Sequence, residues 1–66
     1  MQVEVNGRTR QVADGLLLSD LVDSAVHHVD GVAVAVNRSV VPRSHWASHV
    51  LQGGDQVEII QAVGGG

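Results

Sequence analysis

The chain has no cysteine, lysine, phenylalanine or tyrosine, and only one proline and one tryptophan among its 66 residues. Each absence excludes something. Without cysteine there are no disulfides, no thiolate-held zinc and no thiol nucleophile. The fold must stand on packing alone, and any sulfur the protein handles must be attached somewhere other than a side chain. Without lysine, chains of similar domains cannot be built on its own side chains. Four arginines face seven acidic residues, for a net charge of −3. That balance argues against nucleic acid, which asks for a basic patch. No run of apolar residues is long enough to span a bilayer. The start Met1-Gln2-Val3-Glu4 has neither the charged nor the apolar region of a signal peptide, so a cytoplasmic location is expected.

What is present suits one small domain. A chain of this length buries only about 60% of the surface that its unfolded form exposes. It can hold one core but no deep cleft of its own, so an enzyme with a self-contained active site is not expected. Hydrophobic residues make up 44%, too many for a disordered chain.

The patterning predicts strands around one helix. Gln2 to Asn6 alternates, with Val3 and Val5 on one face, as a half-buried strand does. Asn6-Gly7 suits the positive φ of a type I′ turn, and a second strand is expected over Arg8 to Ala13 with Val12 facing in. Leu18, Leu21, Val22 and Ala25 then form a stripe at helical spacing. Asp20 and Asp23 favour the positive end of that helix. Its start is open between Ser19 as cap and an earlier start near Leu17, and its end is expected near His28. Val32 to Val36 is β-branched at every second position, which suits a central strand. Val40-Val41-Pro42 reads as a short edge strand, because proline donates no ladder bond. Arg43 to His49 is expected to be a loop or a short helical turn. Gly53-Gly54-Asp55 is a turn before a last strand that carries Val57 and Ile59 inward and Ile60 outward. This order is the β-grasp plan: an α+β domain with a mixed four- to five-stranded sheet packed on one helix. The domain is expected over residues 1–63, with a flexible tail over 64–66. The expected core is Val3, Val5, Val12, Leu18, Leu21, Val22, Val34, Val36, Leu51, Val57 and Ile59.

Few residues offer chemistry. His45 and His49 would share a face of an α-helix, but no third ligand accompanies them, so no metal site is expected. Trp46 reads as packing ahead of interface. The aspartates have no partners that would make an acid–base pair, and no catalytic residue is expected. Gly53-Gly54-Asp55 lacks the length and the lysine of a phosphate loop. Ile60, Ala62 and Val63 form a candidate partner surface leading into Gly64-Gly65-Gly66. Glycines 64 and 65, having no Cβ, give a slim tail that can enter a narrow cleft. Gly66 presents a terminal carboxylate, a group with an ordinary pKa of about 3.3–3.7 and therefore ionised at neutral pH.

The segments Val41-Pro42-Arg43, Trp46-Ala47, His49 and Gly54-Asp55, with the glycine ending, resemble the ThiS family of sulfur carriers. Met1-Gln2-Val3, Asn6-Gly7, Asp20-Leu21 and Ala35-Val36-Asn37 extend the resemblance over the whole chain. Leu17 departs from it, standing where the family usually has a threonine or serine cap. The resemblance implies a ubiquitin-like protein of thiamin biosynthesis. An E1-like, ThiF-type enzyme would use ATP and magnesium to adenylate the Gly66 carboxylate. Sulfur from a cysteine desulfurase would displace AMP, leaving a thiocarboxylate, and a ThiG-type thiazole synthase would take that sulfur. The chain itself would bind no cofactor. Other readings are a carrier for molybdopterin or for cysteine and methionine synthesis, a protein modifier attached through Gly66, and a plain interaction domain.

Overall fold

A computed structural model describes residues 1–62, so Val63, Gly64, Gly65 and Gly66 lie outside the described residues. Five strands, β1 (Gln2–Val5), β2 (Arg8–Gln11), β3 (Val32–Val36), β4 (Ser39–Val40) and β5 (Gln56–Gln61), form one mixed sheet. Its order is β2-β1-β5-β3-β4. The last strand in sequence is thus the middle strand in space. It runs parallel to β1, with Val5 opposite Val57, and antiparallel to β3, with Val34 opposite Ile59.

Turn chemistry fixes both hairpins. Asn6 and Gly7 have φ of 50° and 82°, and Asn37 and Arg38 have 51° and 69°. Positive φ at both central residues is what a type I′ turn requires, and its twist matches that of the flanking strands. Asn6 does more than turn the chain. Its side-chain oxygen accepts from Ile59 N–H at 2.8 Å, and its amide donates to the Ile59 carbonyl at 3.2 Å. The side chain thus continues the parallel β1–β5 ladder past the end of β1.

Helix α1 (Leu18–Ala25) covers one face of the sheet with Leu18, Leu21 and Val22. Leu17 is the residue before its first turn, with no side-chain cap. The backbone replaces the cap: Leu18 N–H donates to the His49 carbonyl at 2.8 Å, and Leu17 bridges Val50. This start puts Asp20 in the first turn, near the positive end of the dipole. The helix ends at Ala25, three residues before the expected His28. Val26 is already extended at φ −133° and ψ 151°, so Val26 and Val29 pack against the core from an irregular segment. Ala25 itself is exposed, and the buried stripe is one residue shorter than its spacing suggests.

The core is Val3, Val5, Leu18, Leu21, Val22, Val34, Val36, Trp46, Leu51, Val57 and Ile59. The expected set changes at Val12 and Trp46, and the first change follows from β2. That strand stops at Gln11 and is exposed throughout, because it lies at the sheet edge beyond the reach of the helix. Val12 therefore packs against the core only partly. Trp46, in a 3₁₀ helix over Arg43–Ser48, fills the core instead, at 4% exposure. Its indole N–H donates to the Val41 carbonyl at 2.8 Å, the partner that a buried tryptophan needs. Among the described residues, no helix is long and apolar enough to cross a membrane.

Candidate functional site

Strand alternation sorts side chains to two faces. Opposite the helix, the described residues leave one face of the sheet open. Ile60, on the central strand, is 63% exposed there, and Val40 on the edge strand is 76% exposed. Register joins them: Ile60 lies opposite Ala33, Glu58 opposite Ala35, and Ala35 opposite Val40. Ile60, Ala33, Ala35 and Val40 thus form an apolar strip with Glu58 set in it. Glu4, on β1 opposite Gln56, adds a second carboxylate to this face. Arg8 and Arg10 pair with Val5 and Val3, so they belong to the other face.

The strip runs toward the point where the chain leaves the sheet. Gln61 pairs with Val32. Ala62 is exposed and donates its N–H to the Gly31 carbonyl at 2.9 Å. Of the residues expected at the site, Ile60 and Ala62 are therefore brought to one side of the strand end. Val63, Gly64, Gly65 and Gly66 fall outside the described residues. Sequence reasoning missed Ala33, Ala35, Val40 and Glu58 as neighbours of Ile60. The outward set of β3 was readable from its period-two pattern, but which outward residues meet depends on register across three strands.

The histidines stay apart from any such site. A 3₁₀ helix has 3.0 residues per turn, so positions four apart diverge by about a third of a turn. His45 and His49 thus do not share a face, and His49 already lies past the helix end with extended geometry. Among the described residues, no group of three histidine, cysteine or acidic side chains could hold a metal ion.

The chain matches the ThiS family over residues 3–66. It belongs to the ThiS family. The sulfur carrier protein ThiS of Escherichia coli (strain K12) is 36% identical over 66 residues, covering 100% of both chains. A thiazole synthase of Magnetococcus marinus is 33% identical over 66 residues, which make up 100% of this chain and 20% of that protein. The crystal structure of the thiamine biosynthesis protein ThiS from Geobacter metallireducens superposes with a TM-score of 0.84 at 30% identity, covering 100% of both chains. A solution structure of a thiamine biosynthesis protein from the same organism gives a TM-score of 0.81 at 30% identity, covering 100% of this chain and 88% of that one. The ThiS fold accounts for the sheet order seen here, and the family match extends through the terminal glycines.

Proposed function

We propose that this ThiS-family chain is a sulfur carrier of thiamin biosynthesis that holds sulfur as a thiocarboxylate on Gly66. The observation that carries this reading is the family match, which runs through residue 66, with 36% identity to a ThiS sulfur carrier over the full length of both chains. The chain performs no catalysis of its own. An E1-like, ThiF-type enzyme adenylates the Gly66 carboxylate with ATP and magnesium, which turns a poor leaving oxygen into a good one. The persulfide sulfur of a cysteine desulfurase then displaces AMP to give an acyl disulfide, and a thiol reductant cleaves its S–S bond to leave the thiocarboxylate. A thiocarboxylate stores that sulfur as a strong nucleophile, which suits a chain that has no cysteine.

Thiazole synthase is the acceptor. Support comes from the Magnetococcus protein of that name, one fifth of which is similar to this chain. The domain's own contribution is recognition. The partner docks on the open face around Ile60 and Ala62, and docking there raises the concentration of the tail at the partner's active site. Gly64 and Gly65 give the tail its narrow profile. The cytoplasm, where ATP and the adenylating enzyme meet, is the location this chemistry requires.

Intact mass after incubation with ATP, magnesium, the adenylating partner and a sulfur donor tests the reading. The expected result is a gain equal to exchanging one oxygen for one sulfur, lost when Gly66 is removed. An unchanged mass, with the partner active on another carrier, overturns it. Transfer of the sulfur to thiazole synthase, and not to the large subunit of molybdopterin synthase, tests the pathway.

A further inference from the structure

The strand that leads to the reactive end is fastened where it stops. Ala62 N–H donates to the Gly31 carbonyl at 2.9 Å, and the Gln61 side-chain amide donates to the His28 carbonyl at 3.4 Å. Gly31 sits at φ 74°, a conformation that residues with a Cβ adopt only with strain. Space is not the constraint there, because an added Cβ would make ordinary contacts of 3.7 Å with Ala62. The turn is held from its other side as well, since Asp30 accepts from Arg43 of the 3₁₀ helix at 3.4 Å. The segment that follows α1 thus ties the end of β5 to the body of the domain.

We propose that the Ala62–Gly31 hydrogen bond is the fixed root of the reactive tail and that it sets how far the tail reaches. This rests on the reading of Gly66 as the residue that is adenylated. Four residues follow Ala62 in the sequence. An extended chain spans at most about 3.3–3.6 Å per residue, so the Gly66 carboxyl reaches no more than about 14 Å from the root. An adenylating partner docked on the open face must therefore hold its reacting phosphate within that distance of the strand end. Gly31 and Ala62 touch neither nucleotide nor sulfur. They are positioning residues, and breaking their bond releases Gln61 and Ala62 from the end of the sheet and so lengthens the reach.

The test is ATP–pyrophosphate exchange by the full chain with its adenylating partner, measured against carrier concentration. Deleting Val63 shortens the reach by about 3.4 Å. A misplacement of that size is expected to lower kcat about 100-fold or more. KM is read separately from kcat, because Val63 belongs to the candidate partner surface and its loss can raise KM by itself. Inserting one glycine after Val63 costs only about twofold, since effective concentration falls gradually with linker length. The decisive variants combine the Val63 deletion with a broken root. Ala62→Pro removes the donated N–H, and Gly31→Val disfavours the positive φ. The slack released should restore about tenfold of the lost kcat, a gain that a merely structural bond would not give. Ala62 is exposed at the strand end, so Ala62→Pro gives the answer even where Gly31→Val does not fold. A combined variant no faster than the deletion alone, or a deletion as mild as the insertion, overturns the root while the unaltered chain remains active. No exchange by the unaltered chain, with a partner active on another carrier, overturns the root and the carrier reading together.

Discussion

The two faces of this sheet are made by the same strands and do opposite things. Toward the helix, Val3, Val5, Val34, Val36, Val57 and Ile59 are buried. Toward solvent, the residues between them are Gln2, Glu4, Ala33, Ala35, Glu58 and Ile60. The closed face holds the fold, and the open face is the one proposed above to meet a partner. β5 shows the division most sharply, because Ile59 and Ile60 are adjacent, of one type, and differ from 9% to 63% in exposure. One isoleucine is core and the next is surface on the most central strand of the molecule. An exposed large aliphatic at that place contributes little to folding, and for that reason the docking proposal centres on it.

Substitutions can break or sharpen this contrast. The largest effect is expected from Trp46→Ala, which empties the closed side and leaves the Val41 carbonyl without its donor. It should cost about 3–5 kcal/mol, and a urea midpoint that did not move would put Trp46 outside the core. Leu21→Ala removes the helix's central contact with the sheet and should cost about 2–5 kcal/mol by the same measurement. Asn6→Ala withdraws both bonds to Ile59 and should cost about 1–3 kcal/mol. Hydrogen exchange at the Ile59 amide should rise more than the global loss of stability explains, and equal changes would argue against the ladder role. Ile60→Glu, on the open face, should leave stability within about 0.5 kcal/mol. Its affinity for the adenylating partner should nonetheless fall about tenfold. A wild-type affinity would show that the partner docks elsewhere. Gly65→Ala should not alter the denaturation curve at all, yet it should slow adenylation. Unchanged ATP–pyrophosphate exchange would defeat the idea of a narrow channel for the tail.

How much of this could be read beforehand follows the range of the forces involved. β1, β3 and β5, the Asn6-Gly7 turn and the Leu18–Leu21–Val22 stripe are set by period and by turn chemistry, and they appear where these put them. The helix start was not readable. Leu17 offers no capping side chain, and the backbone group that serves instead comes from His49, over thirty positions away in the chain. The helix end was misplaced because Val26 and Val29 reach the core without helical geometry. Val12 lost its expected burial to an edge strand that the helix does not cover. For the site, Ile60 was legible from alternation along one strand. Its neighbours depend on three-strand register, and the Gly31 contact depends on where the chain returns after α1. Both are products of the finished fold.

The position of β5 also bears on how the protein is made. Among the described strands it is the last to be synthesised and the middle one to be assembled, and without it β1–β2 and β3–β4 are two separate hairpins. An isolated hairpin is marginal in water, so a nascent chain has no sheet to complete until β5 has left the ribosome. A polypeptide truncated before Gln56 lacks its central strand and stays exposed to proteolysis. Completion of the sheet is therefore tied to completion of the chain: a molecule that folds has been extended at least through β5.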